Sequence, residues 1–451
     1  MSRSIGVPGF RSRWFAVTSV ATVALALAGC SSGGGSVAPT GTSRSSTSTA
    51  VPVSGEPAAG SSLTGTGAPG SVDGSGPSGV PTGSAEPAYA VALQPKLAAL
   101  VKDYAVTGAV VLVRSPELGD WSTAIGTRTW HGSDPVTLGD HIRIGSNTKA
   151  WTGTVILQLV DEGKIGLKDP VSKYLDRVPN GDNITITQLL NMSSGLANYS
   201  TDPVLNEQQD TNPTRAWTPA ELVAMGLSQP PAFPPGKGFL YSNTNTVLLG
   251  QIIEKLTGAP VEQAFKTRIF DRLGLKESSF PAITDGSIPA PHPQMYTFGT
   301  NVGTIDSLVL SPEVQAGAKD GTLKPMDVTD LNPSWAWTAG AGISTAGDLA
   351  DFVKALAVGS LLSPKTQKER VASIKPRDPK DTASPGYGLA LASFGPMLGH
   401  TGELPGTNSF MGYDPARDIT VVTWASTAPA ADGNAPAVEM AKAVIGQLYK
   451  S

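Results

Sequence analysis

Apolar residues recur with two different periods along this chain, and each change of period marks an element. GAVVLVRS (108–115) and DWSTAIGTRTW (120–130) carry the β-branched, short-period pattern of two strands joined by a tight turn. From Ser146 the period lengthens to that of a helix. Val155, Ile156 and Leu159 share one face, the pattern runs to about Glu162, and Gly163 is the stop. Thr218-Pro219-Ala220-Glu221 has the form of a capping box and opens another helix. Helical spacing also covers 246–256, 261–273 and 346–358. GYGLALASF (386–394), LGHTGEL (398–404), SFMGYD (409–414) and ITVVTWAST (419–427) return to strand pattern, and a last helix spans about 435–449. Strands at both ends with a helical middle predict one α/β (α+β) domain over 89–451, its sheet completed by both ends of that segment.

The segment ahead of this domain has a different character. Arg3, Arg11 and Arg13 precede an apolar run, WFAVTSVATVALALA, at 14–28. That is the layout of an export signal, and the run is shorter than the roughly 20 apolar residues of a membrane-spanning helix. It ends in Leu27-Ala28-Gly29-Cys30, which resembles the lipobox of bacterial lipoproteins. The resemblance implies a signal over 1–29, lipidation of Cys30, and attachment to the outer face of the membrane in the bacterial cell envelope. A plain secreted protein cut near Ala28, or a buried thiol, is the alternative. Residues 30–88 are mostly Ser, Gly, Pro, Thr and Ala, a composition that predicts a disordered tether. A flexible tether of about 55 residues has a root-mean-square reach of about 40 Å.

Composition narrows the partners. Net charge is −4, with no basic runs, so nucleic acid is not expected. The four histidines, His131, His141, His292 and His400, form no local pair at metal-ligand spacing, and neither a metal nor another cofactor is expected. A single cysteine leaves no intrachain disulfide.

Three motifs bear chemistry. Ser146-Asn147-Thr148-Lys149 is the one Ser-x-x-Lys of the chain. On a helix, positions i and i+3 share a face, which brings a hydroxyl within reach of an amine at the positive end of the helix dipole. Burial lowers a lysine's pKa and makes it a usable base. Tyr241-Ser242-Asn243 follows a Pro/Gly turn, so Tyr241 and Asn243 are expected to project from a loop, where a phenol can shuttle a proton. His400-Thr401-Gly402 lies on a predicted strand, with a glycine that admits close backbone approach and a following N–H able to face an oxyanion. Each also has an ordinary reading: a serine cap and a solvated lysine, an aromatic anchor with a capping asparagine, a surface histidine before a turn.

The three occur once each and in this order. Ser-x-x-Lys, Tyr-x-Asn and His-Thr-Gly together resemble the signature set of the penicillin-recognising serine enzymes. The branch is that of class C β-lactamases, D-alanyl-D-alanine carboxypeptidases and related esterases. IRIGSNTKAWTGTVILQLVDEGKIGLKDPVSKYL, ITITQLLNMSSGL, YSNTNTVLLGQIIEKLTG, AGAGISTAGDLADF and GHTGELPG extend the likeness over about 92–450. It implies a β-lactamase/transpeptidase-like fold: a central antiparallel sheet flanked by helices, with a mainly helical subdomain. It further implies Ser146 as acylated nucleophile, Lys149 as its proton-transfer partner and Tyr241 as general base or proton donor. Asn243 would bind the substrate amide and tie into Lys149. His400, Thr401 and Gly402 would line the substrate strand, and the N–H groups of Ser146 and Glu403 would form the oxyanion hole.

Two departures from the family pattern bear on substrate. His400 stands where class C β-lactamases have lysine. Glu403 stands where carboxypeptidases of this type carry a small hydroxyl residue, and a Glu403 side chain in the cleft would repel a substrate carboxylate. Arg377 and Lys380 are the candidates for a replacement carboxylate anchor. Three functions remain open: a hydrolase of envelope D-amino-acid peptides of carboxypeptidase type, an esterase of the same architecture, and a non-catalytic envelope binding protein. The expected partners are a small-molecule or peptide substrate in the envelope and, through Cys30, the membrane.

Overall fold

The structure is a computed structural model that describes residues 86–450 apart from 379, 382 and 383. The expected export signal, Cys30 and nearly all of the tether lie outside the described residues, and no helix among the described residues is long and apolar enough to cross a membrane.

Eight antiparallel strands form the main sheet: β1 (Gly108–Arg114), β2 (Trp121–Gly126), β3 (Lys375–Pro376), β4 (Gly386–Tyr387), β5 (Ala392–Phe394), β6 (Met397–Leu404), β7 (Thr407–Asp414) and β8 (Ile419–Ala425). Their spatial order is β2-β1-β8-β7-β6-β5-β4-β3, so the two ends of the domain meet at the β1–β8 pair, with Val111 opposite Thr423. The helices that matter to the site are α1 (Ala88–Asp103), α2 (Thr148–Asp161), α3 (Pro219–Ser228), α4 (Asn243–Thr257), α5 (Ala346–Val358) and α6 (Pro436–Leu448).

Period-two alternation divides the core. Val111 and Val113 join Leu93, Leu97, Met440 and Val444 under α1 and α6, while Val110 and Leu112 belong with Leu349, Phe352 and Trp151 on the other face. Residues 148–159 of α2 are all buried, the condition of a helix enclosed on every side. Trp151 fixes it, with ring centroids 4.8 Å from Phe270 and 5.9 Å from Phe265. Truncating such a side chain to alanine costs about 3–5 kcal/mol. The helix that follows Ser146 is therefore held on all sides by the core.

Several boundaries depart from the sequence pattern. Helix α1 was not anticipated, although Tyr89, Leu93 and Leu97 repeat every four residues; Pro95 within it masks the signal. The strand expected over 386–394 is two short strands, because Ala390 leaves the ladder to donate its N–H to Leu190 O at 3.1 Å. The run at 120–130 stops as a strand at Gly126, which has φ of +87°. The capping box at α3 forms in full, with Thr218 N–H donating to Glu221 Oε2 at 2.8 Å. Helix α4 starts at Asn243 rather than Thr246, so Asn243 is helical and only Tyr241 remains on the loop. The cap comes from elsewhere in the chain: Asn198 Oδ1 accepts the Asn243 N–H at 3.0 Å.

Candidate active site

Ser146 sits in a 3₁₀ turn, Gly145–Asn147, that feeds directly into α2. The turn is clamped from both sides. Ile144 N–H donates to Gly342 O at 2.9 Å, and Ile144 O accepts from Ser409 Oγ at 2.9 Å. Asn147 Nδ2 reaches Ser409 Oγ at 2.8 Å, and Thr148 Oγ1 donates to Gly145 O at 2.7 Å. Two glycines allow this approach. Gly145 has φ of +55°, and a Cβ there would lie 2.4 Å from Glu403 N; a Cβ on Gly402 would lie 1.8 Å from Ile144 O. The turn thus rests on the backbone of β6 at the expected oxyanion position.

Lys149 is 1% exposed. Its Nζ lies 2.8 Å from Ser146 Oγ and donates to Ala339 O at 2.7 Å. Burial in this apolar layer holds its pKa well below the usual lysine value. It is tied to Ala339 rather than to Asn243, contrary to the expectation for that pair. Asn243 instead donates from Nδ2 to Ser200 Oγ at 3.1 Å and leaves a buried Oδ1 with no partner. That oxygen is an acceptor in want of a donor. The Ala339 carbonyl belongs to a turn that follows Trp337, whose φ of +35° is unusual for a bulky residue. Nothing in the sequence marks Ala339, since a main-chain carbonyl 190 residues from its partner leaves no pattern.

Tyr241 lies against both Ser146 and Lys149. Its phenol is hydrogen-bonded with Ser146, and Lys149 Nζ lies 4.8 Å from its ring centroid. Burial pushes the phenol's pKa up, so it stays protonated, while the Ser146 bond and the Arg377 charge oppose that shift. The loop carrying it is pinned where Leu240 N–H donates to Met192 O at 3.0 Å and Ser242 Oγ to Ala197 O at 2.9 Å.

His400 is buried, not a surface residue, and both ring nitrogens are engaged. Nδ1 faces Thr401 O at 2.6 Å, which requires a proton on that nitrogen, and Nε2 faces Tyr387 OH at 3.1 Å. Burial lowers its pKa to about 3. The ring is therefore neutral, with Nε2 accepting from Tyr387, and it has no free nitrogen with which to pass a proton. Tyr387, which the sequence pattern did not single out, stacks edge-on against Tyr241 at 5.9 Å and against His400 at 5.6 Å.

On β6, Gly402 pairs with Ser409 and Glu403 with Asn408. Gly402 and Ser409 face the nucleophile turn, so their neighbours Glu403 and Asn408 face α6. Glu403 Oε2 accepts from Asn408 Nδ2 at 3.2 Å, and Asn408 Oδ1 in turn accepts the N–H of Ala437 at 2.9 Å. The Glu403 carboxyl is held by Asn408 rather than free in the cleft, and burial raises its pKa to about 7. β5 pairs with β6 only as far as Gly399, so that edge of residues 400–404 has no partner strand among the described residues. Thr401 lies on this open stretch, part-exposed.

A serine flanked by a buried amine and a phenol, beside an open strand edge, is the arrangement of a serine hydrolase. Comparison with known proteins agrees. The family model described as Beta-lactamase matches residues 93–445, and the chain belongs to that family. It is 32% identical to the D-stereospecific amidohydrolase from Streptomyces sp., covering 80% of this chain and 98% of that one with a TM-score of 0.66. It is 25% identical to the D-amino acid amidase from Ochrobactrum anthropi SV3, covering 80% and 100%, with a TM-score of 0.64. A Salmonella newport protein named "Putative D-alanyl-D-alanine carboxypeptidase" is 26% identical over 313 residues, 62% of this chain and 67% of that protein.

Proposed function

We propose that the protein is an envelope-anchored serine hydrolase that is acylated on Ser146 and cleaves D-amino-acid peptides in the manner of a D-alanyl-D-alanine carboxypeptidase. The observation that carries this is Lys149, a buried amine with no carboxylate partner among the described residues, 2.8 Å from Ser146 Oγ. Desolvation lowers its pKa and favours the neutral amine, whose lone pair takes the Ser146 proton as Oγ bonds to the substrate carbonyl carbon. The N–H groups of Ser146 and Glu403 receive the oxyanion. As the C–N bond breaks, Tyr241 gives its proton to the departing amine and is reprotonated from Lys149. Water then attacks the ester carbonyl, the same groups return a proton to Ser146, and the acid leaves. An extended substrate adds along the open edge of β6, and the unpartnered Oδ1 of Asn243 accepts its amide N–H. The D-configuration rests on the names of the relatives, and the anchoring rests on Cys30 and the segment before it.

A second reading, hydrolysis of D-amino-acid amides with ammonia as leaving group, is favoured by the likeness to the D-amino acid amidase from Ochrobactrum anthropi SV3. Parallel incubation with a D-alanyl-D-alanine peptide, a D-amino-acid amide, a cephalosporin and a short-chain ester separates these, read by intact-protein mass and product release. Acylation by the peptide with release of D-alanine, absent in Ser146→Ala, supports the proposal. Turnover of the ester alone would replace it with an esterase. Chain that takes no adduct from any reagent would be a binding protein.

A further inference from the structure

Lys149 rests on Ala339 O, and the turn that presents this carbonyl is built in an unusual way. Trp337 opens it with φ of +35°, a conformation that a bulky residue keeps only where its surroundings force it. The surroundings are two helices. On one side, Trp337 and Thr338 fill the space above Gly250 of α4, where a Cβ would lie 2.6 Å from Trp337 Cζ3 and 2.6 Å from Thr338 Oγ1. Thr338 Oγ1 also donates to Thr246 O of α4 at 2.9 Å. On the other side, three residues of α2 bond to the backbone of the turn. Thr152 Oγ1 donates to Thr338 O at 2.8 Å, Lys149 Nζ donates to Ala339 O at 2.7 Å, and Thr148 Oγ1 accepts the Gly342 N–H at 3.0 Å. Trp337 O accepts the N–H groups of Gly340 and Ala341 at 2.9 and 2.8 Å, so three successive carbonyls are all occupied.

The two helices carry different parts of the chemistry. Lys149 is on α2, while Tyr241 stands on the loop just ahead of α4. Thr338 joins them: its hydroxyl goes to α4, its carbonyl to α2, and the next carbonyl along is the one that holds Lys149. Both Thr338 and Thr152 are fully buried, where water does not replace a lost hydrogen bond. Donation to Ala339 O fixes one N–H of the amine and leaves the lone pair of its neutral form free for Ser146 Oγ. No neighbouring charge holds the amine instead. The titratable groups that face it are Tyr241, a protonated phenol, and His400, a neutral ring. Its aim at Ser146 therefore depends on where the turn puts Ala339 O, and a small displacement of a catalytic group is costly to rate.

We infer that Thr338 and Thr152 are positioning residues for the acylation step: their hydroxyls fasten the 337–342 turn between α2 and α4 and so keep Ala339 O where it orients Lys149 toward Ser146. This rests on the reading of Lys149 as the base. The test uses the purified full chain with Thr338→Val and Thr152→Val, which keep the shape and remove one donor each, and Thr338→Ser and Thr152→Ser, which keep the donor. Fluorophosphonate labelling of Ser146 is followed across pH and expressed per folded molecule, from urea unfolding at each pH. Each Thr→Val variant should lose roughly five- to fiftyfold in labelling rate. A bond from the ammonium to Ala339 O favours the charged form, so weakening it moves the pH limb of the rate, and the matching rise of stability with pH, to lower pH by about half a unit or more. Each Thr→Ser variant should return the rate to within about threefold of the unsubstituted chain. A merely structural role would lower stability at every pH and leave the limb where it is. Rates within about twofold and an unmoved limb in both Thr→Val variants, with Lys149→Met still losing its rate, overturn the inference and leave Lys149 as the base. Full labelling of Lys149→Met does the reverse if the Thr→Val variants still shift the stability limb that Lys149→Met abolishes: the hydroxyls position the amine and the base reading falls. A Thr→Val variant that does not fold is replaced by Thr338→Ala or Thr152→Ala, judged by the same limits.

Discussion

Replacing Lys149 by methionine is expected to separate catalysis from folding. Methionine keeps most of the apolar stem, so the contact energy of about 0.8 kcal/mol per buried methylene is largely retained. Ala339 O loses its donor, a cost of about 1–3 kcal/mol. Against that, the penalty for burying the amine, the same desolvation that depresses its pKa, disappears. The two effects oppose each other, and the unfolding free energy should change by no more than about 2 kcal/mol in either direction. Acylation has no such compensation. Loss of the general base costs a factor of roughly 100 to 10,000, or about 3–5 kcal/mol of barrier. The assay pairs fluorophosphonate labelling rates with urea unfolding across pH. With its pKa lowered, Lys149 releases its proton below the ordinary lysine range, so the rate in the unsubstituted chain climbs with pH on a limb that lies below 10.5. Stability follows the same group. Between the folded pKa and 10.5 the unfolded chain binds the proton that the folded chain lacks, so stability rises with pH there. Lys149→Met removes both the rate limb and that slope. A variant labelled within threefold of the unsubstituted rate, or one that keeps the limb, refutes Lys149 as the base.

Three further outcomes follow from the site. His400, ordinarily near 6.5 and here near 3, stays neutral in the fold while the unfolded chain takes up a proton, so stability is full above pH 6.5 and falls toward pH 3. Between pH 6.5 and 5 the loss is about 2 kcal/mol, measured by urea unfolding, and His400→Gln should remove that part of the slope. Glu403 has the opposite sign: its pKa is raised to about 7, so stability present below 4.5 is lost as pH rises through 7. Glu403→Gln, which keeps an acceptor for Asn408, should gain about 2 kcal/mol on the unsubstituted chain between pH 5 and 8; parallel stability curves would refute the shift. Gly402→Ala places a methyl 1.8 Å from Ile144 O, which forces β6 away from the nucleophile turn. It should cost about 1–3 kcal/mol of stability and at least a hundredfold in labelling rate, and an alanine variant of normal activity would show that the contact has room to give.

Much of the site was legible because its chemistry sits in local patterns. Ser146 and Lys149 are three apart on one helix, and helical geometry alone brings them together. Gly402 was marked as a point of close approach, and the space it lacks is taken by Ile144 O. What failed to show in sequence was everything made by distant partners. Ala339 holds Lys149 from a main-chain carbonyl, which any residue provides. Asn198 caps α4 from 45 residues away and moves Asn243 from loop to helix. Burial beside Tyr387, which engages its Nε2, leaves His400 neutral.

By itself, then, the chain's sequence determined most strands of the main sheet, several of its helices and the likeness to the family, because period, capping and short motifs are set by neighbours along the backbone. The tertiary structure alone decided the protonation states on which the chemistry depends. Desolvation and the choice of hydrogen-bond partner favour the neutral form of Lys149 and leave His400 an uncharged ring with both nitrogens engaged. Those are properties of the surroundings in space, and the surroundings of each are assembled from segments far apart in the chain.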